Sequence, residues 1–361
     1  MSTHFHKLTI KDIRNETPDC TSIAFHVPDE LKEVFCFTQG QNITVRAFID
    51  NEEIRRSYSI CSSPLDNELR IAVKKLDNGK FSSYADTLKR NDQLEVLPPT
   101  GKFYTTLLPS NTKNYIAFAA GSGITPIISI IKTTLAIEPD SSFTLIYGNK
   151  NRSAVIFKEE LDALKNRYMS RFALHHIFSR EETDAAVNHG RITTEKCDEL
   201  CNKLIDLKKE DEFFICGPEQ MIFSVKDWLE KKGVDKSKIH FELFTIPGQS
   251  FEARNSKAIA SKEEAQNKSS HVTIKSDGIA FSFELHFDAA PILDAAIKHG
   301  ADLPFSCKGG VCGTCRAKLV EGKVQMEHNY ALEPDELEKG FILTCQSHPR
   351  TEKVVIDFDV K

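Results

Sequence analysis

The chain has 361 residues, more than one hydrophobic core usually serves, so two or three domains are expected. Its 47 Lys and Arg nearly balance its 52 Asp and Glu, and the net charge of −5 provides no basic surface for nucleic acid or an anionic membrane. No stretch has the length of a transmembrane helix or a signal peptide, so we expect a cytoplasmic protein without a nucleic-acid or membrane partner.

The first segment, residues 1–108, consists of short alternating or apolar runs separated by Pro, Asn, Asp and Gly. Examples are QNITVRAFI, LRIAVKKL and QLEVLPP. Runs of this kind predict an antiparallel β-barrel or sandwich. One stretch, FSSYADTLKR, predicts a short helix between the strands.

The second segment, residues 109–245, alternates between predicted strands and predicted helices. This alternation predicts a parallel α/β sheet covered by helices on both faces, with ligands at the carboxyl ends of its strands. Three turns rich in small residues fall at those ends, within AAGSGITP, YGNKNR and CGPEQM. A nucleotide-binding α/β domain is therefore the expectation.

Residues 246–270 contain little to bury and many charged, Ser and Asn side chains, which is typical of a linker. Residues 271–361 follow with a predicted hairpin, a helix within PILDAAIKHG and a closing strand, EKVVIDFDV. They predict a third, β-rich domain that surrounds a cysteine-rich loop.

The cysteine-rich loop, SCKGGVCGTC, contributes three of four cysteines with the spacing C-x4-C-x2-C-x29-C. The predicted metal ligands are Cys307, Cys312, Cys315 and Cys345. This spacing is that of plant-type [2Fe–2S] sites, in which two irons each take two thiolates. Gly309, Gly310 and Gly313 would let backbone amides approach the cluster sulfurs.

Zinc and disulfide bonds are the alternatives for this loop. Zinc ribbons normally contain two C-x2-C pairs, whereas here Cys345 has no near neighbour in sequence. Disulfides are uncommon in a cytosolic protein. The cysteines at 20, 36, 61, 197 and 201 show no ligand spacing, so we expect them to serve packing.

The stretch AAGSGITP follows a predicted strand and begins a predicted helix. A glycine-rich turn at this position offers backbone N–H groups and the positive end of a helix dipole to a pyrophosphate. The pattern is weak by itself, because such turns are common in α/β folds.

Together with RRSYSI and GKFSSY, this stretch resembles the ferredoxin–NADP reductase superfamily. The resemblance implies an FAD-binding β-barrel in which Arg56 contacts the pyrophosphate and Tyr58 and Ser59 contact the flavin. A planar guanidinium suits a pair of phosphate oxygens. The resemblance implies these FAD-binding positions: Arg56, Ser57, Tyr58, Ser59, Ala72, Val73, Lys74, Gly79, Lys80, Phe81, Ser82 and Ser83.

The same resemblance assigns a pyridine-nucleotide site. The implied residues are Gly121, Gly123, Thr125, Pro126, Arg152, Ser179, Arg180, Cys216, Gly217 and Pro218. Ser179 and Arg180 stand where relatives that prefer NADPH bind the 2′-phosphate, with Arg152 as a second candidate, so NADPH is expected over NADH. Cys216 and Ser59 would lie next to the reacting atoms, with Cys216 in a steric role. Phe244 is a candidate cover over the flavin or a simple core aromatic.

The order of flavin domain, nucleotide domain, linker and plant-type β-grasp ferredoxin domain resembles the reductase components of bacterial multicomponent oxygenases. ILDAAIKHGADLPFSCKGGVCGTC and NYALEPDELEKGFILTCQ carry this resemblance most specifically. It implies a flavin and iron–sulfur oxidoreductase that passes electrons from NADPH through FAD and a [2Fe–2S] cluster. The implied acceptor is a di-iron oxygenase component.

Two alternatives stay open at this point. The acceptor could belong to another oxygenase, such as a 3-ketosteroid 9α-hydroxylase or an aromatic-ring hydroxylase. A zinc-bearing binding module fused to an inactive nucleotide fold would have no redox role at all.

Overall fold

The computed structural model describes residues 4–245 and 268–360. Their strands form three large sheets in chain order and one small two-stranded sheet. Most of the predicted linker, residues 246–270, lies outside the described residues. Within the described ranges no helix is long and apolar enough to cross a membrane.

The first sheet is antiparallel. Its strands are β1 (His6–Thr17), β2 (Cys20–His26), β3 (Asn42–Ile49), β4 (Glu52–Ser59), β5 (Leu69–Lys74) and β6 (Gln93–Val96). They pair in the order β4, β3, β6, β1, β2, β5, and a bridge between Ile60 and Ile71 closes this sheet into a barrel. Helix α1 (Lys80–Ala85) packs Phe81 into the barrel core.

The second sheet is parallel and alternates with helices. Its elements are β7 (Asn114–Ala120), α2 (Ile124–Ile137), β8 (Ser142–Asn149), α3 (Lys158–Arg167), β9 (Phe172–Phe178), α4 (Thr194–Lys203), β10 (Glu212–Cys216), α5 (Glu219–Lys231) and β11 (Ile239–Glu242). The strand order is β11, β10, β7, β8, β9. Successive β7 side chains pack into different cores, Tyr115 into one and Ile116 into the other, because a strand presents alternate residues to opposite faces.

The third sheet is mixed and follows the undescribed segment. The elements of this region are β12 (Ser269–Ser276), β13 (Ile279–His286), α6 (Ile292–Lys298), β14 (Arg316–Glu321), β15 (Val324–Met326), α7 (Pro334–Glu338), β16 (Phe341–Leu343), β17 (Ser347–Pro349) and β18 (Lys353–Asp357). The large sheet has the order β13, β12, β18, β14, β16, while β15 pairs with β17. The buried side of α6, including Ile292 and Leu293, packs into the core of this region.

Candidate functional site

Two glycine-containing turns meet at the carboxyl ends of β7 and β10, which are neighbouring parallel strands. Gly121 adopts φ +54°, a left-handed conformation that favours glycine. A Cβ on Gly123 would lie 2.1 Å from the carbonyl oxygen of Cys216, so this approach requires glycine. The predicted nucleotide residues on these two turns are Gly121, Gly123, Thr125, Pro126, Cys216, Gly217 and Pro218. The turns therefore place the amino end of α2 beside the Cys216 peptide, an arrangement that suits a pyrophosphate.

The turns after β8 and β9 carry the remaining nucleotide candidates. Ser179 donates its backbone N–H to the carbonyl oxygen of Asn149 at 3.0 Å. The Arg180 side chain is exposed, whereas Arg152 Nη1 lies 2.8 Å from Glu181 Oε1. The two candidate arginines therefore differ, since Arg152 already has a carboxylate partner.

Strand β4 presents the predicted flavin motif on two faces, because successive residues of a strand point in opposite directions. The ring of Tyr58 packs 5.5 Å from that of Phe81, against the barrel core. Ser57, its neighbour, lies with its hydroxyl oxygen 3.0 Å from Thr44 Oγ1 on β3. Arg56 shares the face of Tyr58, and Ser59 shares the face of Ser57.

The turn before α1 is tight around Gly79. A Cβ at position 79 would lie only 2.4 Å from Ser82 Oγ, so glycine avoids a clash with that hydroxyl group. The Ser82 hydroxyl donates to the carbonyl oxygen of Gly79 at 3.1 Å and accepts from the N–H of Leu76. That hydroxyl is therefore engaged within the turn, while Ser83 is exposed and Lys80 pairs with Glu52.

The flavin candidates on β5 lie close to the first nucleotide turn. Ala72 and Val73 are buried, and Lys74 is partly buried with its Nζ 3.5 Å from Asp19 Oδ2. The Nζ of Lys74 would be 3.9 Å from a Cβ placed on Gly121. The two sets of predicted cofactor residues thus approach each other across the boundary between the barrel and the second sheet.

The barrel and the second sheet also meet at Ser59, Cys216 and Glu242. Ser59 Oγ donates to Glu242 Oε2 at 2.8 Å. Cys216 and Glu242 are opposite each other in the parallel register of β10 and β11. The structure therefore brings together both residues predicted to lie next to the reacting atoms, and adds a carboxyl group that the sequence analysis did not identify.

Burial controls the protonation of this group of side chains. Desolvation raises the pKa of Glu242 to about 7, even though the Ser59 hydrogen bond opposes the shift. Burial also raises the pKa of Cys216 far above its usual value, so its thiol stays protonated. Cys216 is thus suited to a steric role, whereas Glu242 can hold or release a proton near neutral pH.

Phe244 follows this strand and is 39% exposed. This exposure favours the prediction of an aromatic cover over that of a core aromatic. Glu242 itself had a usable signal in the sequence, because the stretch HFELF predicts a last strand whose end must reach the ligand edge of the sheet. What the sequence could not supply was the register that aligns Glu242 with Cys216.

The four predicted cluster cysteines form two close pairs, Cys307 with Cys312 and Cys315 with Cys345, each joined by a thiol hydrogen bond. The hydrogen bond from Cys307 lowers the pKa of Cys312, and that from Cys315 lowers the pKa of Cys345. The corresponding donors, Cys307 and Cys315, have raised pKa values. All ten cysteines are free thiols.

This donor set fits a two-iron cluster, because each iron of a [2Fe–2S] site takes two thiolates. The backbone N–H of Gly309 lies 3.3 Å from the sulfur of Cys307, and Gly310 donates its N–H to Cys345. N–H donors of this kind stabilise cluster sulfurs. Among residues 4–245 and 268–360, no group of three or more His, Cys, Asp or Glu side chains is arranged to hold a single metal ion.

Three family models match the chain in succession. They describe an oxidoreductase FAD-binding domain over residues 7–104, an oxidoreductase NAD-binding domain over residues 118–227 and a 2Fe-2S iron-sulfur cluster binding domain over residues 274–350. The predicted cofactors FAD, a pyridine nucleotide and a [2Fe–2S] cluster are thereby confirmed, and the zinc and disulfide alternatives for the loop are set aside.

The chain is also similar to complete curated proteins. It is 44% identical to one of the subunits of the 1,2-phenylacetyl-CoA epoxidase of Escherichia coli (strain K12), over 99% of both chains. It is 33% identical to the ferredoxin reductase component of a 3-ketosteroid-9-alpha-monooxygenase from Rhodococcus rhodochrous, over 97% of this chain and 96% of the relative.

Among solved structures, the chain resembles phthalate dioxygenase reductase, described as a modular structure for electron transfer from pyridine nucleotides to [2Fe-2S]. The match has 25% identity and a TM-score of 0.58, and it covers 98% of both chains. It confirms the predicted fold class: a flavin barrel, an α/β nucleotide domain and a ferredoxin domain.

Proposed function

The chain belongs to the family of reductase components of multicomponent oxygenases, and we propose that it supplies electrons to the oxygenase of a 1,2-phenylacetyl-CoA epoxidase. The observation that carries this proposal is the 44% identity over 99% of both chains, compared with 33% for the 3-ketosteroid-9-alpha-monooxygenase component. The partner would be the di-iron oxygenase component of that epoxidase, and the location the cytoplasm.

The cofactors divide the electron transfer between them: when bound, FAD accepts a hydride from NAD(P)H, and the [2Fe–2S] cluster accepts one electron at a time. The chain therefore has to match a donor of two electrons to an acceptor of one. The chain must hold three groups in order and keep water from the site of hydride transfer. No nucleophile is required, and the buried thiol of Cys216 agrees with that.

We assign the site residues by their positions. The turns at Gly121 and Gly123 hold the pyrophosphate of NAD(P)H, and Cys216 positions the nicotinamide for transfer. Arg56 holds the FAD pyrophosphate, and Tyr58 lies against the flavin. Ser59 and Glu242 supply the proton that accompanies hydride transfer, since the carboxyl group, when protonated, lies within hydrogen-bonding distance of the Ser59 hydroxyl, which can pass a proton on. The remaining predicted flavin and nucleotide residues stay proposed contacts.

The partner is tested with purified epoxidase oxygenase. NADPH consumption should require both phenylacetyl-CoA and oxygen, and it should stop when the reductase is omitted. Oxygenases of a 3-ketosteroid hydroxylase and of an aromatic-ring hydroxylase serve as matched controls. If NADPH consumption coupled to substrate appears only with one of these controls, the proposed partner is wrong and the reductase function remains.

We expect Arg180→Ala to raise the Michaelis constant for NADPH much more than that for NADH. The exposed Arg180 is free of the carboxylate contact that Arg152 makes with Glu181, so its guanidinium can meet the 2′-phosphate directly. The loss of a charge-assisted hydrogen bond corresponds to roughly tenfold or more in binding. Steady-state kinetics with both nucleotides measures this difference.

Arg152→Ala is the matched control for that substitution. Because Glu181 already neutralises Arg152, its replacement should change the two Michaelis constants to a similar, smaller extent. Equal effects of Arg180→Ala on NADPH and NADH would remove Arg180 from the 2′-phosphate site.

A further inference from the structure

Arg55 is a buried arginine of the flavin barrel whose partners include residues of the ferredoxin domain. The residue is 7% exposed. Its Nη1 donates to the carbonyl oxygen of Leu303 at 3.0 Å, and its Nη2 lies 3.4 Å from Asp302 Oδ1. The guanidinium carbon also stands 4.0 Å from the centre of the Phe305 ring. All three partners lie within five residues before Cys307, the first cluster cysteine.

The alternation of β4 explains why Arg55 points away from Arg56 and Tyr58. Arg56 and Tyr58 occupy one face of the strand, whereas Arg55, Ser57 and Ser59 occupy the other. The stretch RRSYSI therefore serves two partners. One face carries the proposed flavin contacts of Arg56 and Tyr58, and the other carries Ser57 and Ser59 and also meets the loop that precedes the cluster.

A second contact lies on the same face. Thr44 Oγ1 is 3.1 Å from Thr314 Oγ1, and this pair is buried. Thr314 stands between Cys312 and Cys315, within the cluster loop. A third contact, between Lys102 and Asp335 at 3.2 Å, is exposed and therefore contributes little. The buried contacts therefore place the barrel against Leu303 and Phe305, which precede Cys307, and against Thr314, which follows Cys312.

The nucleotide domain holds the other side of the same loop. Val311 and Tyr330 of the ferredoxin domain belong to the same hydrophobic cluster as Leu243, which follows β11. The cluster loop is thus held between the barrel and the nucleotide domain, beside the site where Ser59, Cys216 and Glu242 meet.

We propose that Arg55 is a docking residue that holds the cluster loop of the ferredoxin domain against the flavin barrel, in the position from which each electron passes from flavin to cluster. The proposal rests on the proposed function. One electron leaves the reduced flavin and reduces one ferric ion of the cluster, so two such transfers and two onward transfers use the hydride of one NAD(P)H.

The chemistry of this contact suits a domain that must also leave its docked position. The cluster has to meet an external oxygenase, and a surface that separates is exposed to water in its free state. An arginine and backbone carbonyl oxygens are readily hydrated when they separate, whereas a purely apolar contact would expose an apolar patch that promotes aggregation. The flat guanidinium also stacks on Phe305, which a lysine cannot reproduce.

The test compares Arg55→Ala and Arg55→Lys with the wild-type holoenzyme. After rapid mixing with NADPH, flavin reduction should proceed at the wild-type rate in each variant. Reduction of the cluster by the flavin should slow about tenfold or more in Arg55→Ala, because the lost hydrogen bonds to a charged group shift the docking equilibrium by that factor. Arg55→Lys should restore only part of the rate.

A second variant and a control distinguish a weakened docking contact from a general folding defect. Phe305→Leu removes the stacking contact from the ferredoxin side and should slow the same step to a smaller extent. Arg46→Ala is the control, since Arg46 contacts Glu53, Glu95 and Phe5 within the barrel. It should leave cluster reduction unchanged.

Small-angle X-ray scattering gives a readout that does not depend on turnover. Arg55→Ala should have a larger radius of gyration than wild type, while Arg46→Ala should match it. The proposal is overturned if Arg55→Ala reduces its cluster at the wild-type rate, or if its flavin and cluster reduction slow by the same factor. Failure of the proposed function would look different, because the wild-type protein would then not couple NADPH consumption to phenylacetyl-CoA with the epoxidase oxygenase, while its flavin would still reduce its cluster.

Discussion

Cys312→Ala is expected to abolish electron delivery from NADPH to cytochrome c, while ferricyanide reduction through FAD persists. Cys312 is one of two thiols in its pair, and both thiols of a pair are expected to bind one iron as thiolates. Without it, one iron would have a single protein ligand, and the cluster would not be retained. The visible absorption of the cluster and the iron content should fall together with cytochrome c reduction.

Cys36→Ala is the matched control, because Cys36 is an exposed free thiol that shows no ligand spacing. It should leave iron content and both activities unchanged. Persistence of cytochrome c reduction at the wild-type rate in Cys312→Ala would show that electrons leave directly from the flavin. Loss of both activities would instead indicate damage to the flavin domain.

Glu242→Gln is expected to slow flavin reduction by NADPH about 100-fold and to remove its dependence on pH around neutrality. Desolvation raises the pKa of this carboxyl from its usual 4.5 to about 7. Donation of a proton through Ser59 requires the protonated form, so the wild-type rate should fall as pH rises through about 7. Stopped-flow measurement of flavin reduction from pH 5.5 to 8.5 tests the profile.

The raised pKa of Glu242 also makes the stability of the folded protein depend on pH. Between about pH 4.5 and 7 the folded protein keeps the Glu242 proton that the unfolded chain has lost. This contribution to the free energy of unfolding is complete at low pH and is lost as pH rises through the folded-state value. Glu242→Gln should therefore flatten the decline in stability across this range, as measured by denaturant unfolding.

Glu210→Gln is the matched control for both measurements. Burial raises the pKa of Glu210 to about 7 as well, but this residue lies before β10, at the opposite end of the strand from Cys216. Its replacement should alter the pH dependence of stability without changing the pH profile of flavin reduction. If both variants change the flavin profile alike, Glu242 has no direct part in proton exchange.

The sequence predicted the elements whose patterns are local. Alternating apolar runs up to residue 96 gave the antiparallel barrel, and the strand and helix rhythm of the second segment gave the parallel sheet. The cysteine spacing indicated a two-iron cluster, because ligand order along one loop is a local property. The structure adds that the thiols pair as Cys307 with Cys312 and Cys315 with Cys345.

The sequence missed residues whose roles depend on contacts between domains. Glu242 ends a short last strand, and only the register with β10 and the hydrogen bond from Ser59 place it at the site. Arg55 precedes the predicted flavin arginine, Arg56, and nothing in the sequence distinguishes it from a surface residue. The contacts to Asp302 and Leu303 show that residues about 250 positions later cover the second face of β4. The sequence of a single strand cannot indicate such a partner.

By itself, then, the amino-acid order predicted the barrel, the parallel sheet and the cysteine spacing of a two-iron cluster, because each depends on periodicity or spacing within a short stretch. The order of cofactors followed from the resemblance of its motifs to a known family. The tertiary structure alone decided how the units meet: the shared site of Ser59, Cys216 and Glu242, and the contact of Arg55 with the loop before Cys307. The physical reason is that hydrogen bonding and desolvation depend on distance in space, and that distance is set only when separate cores pack together.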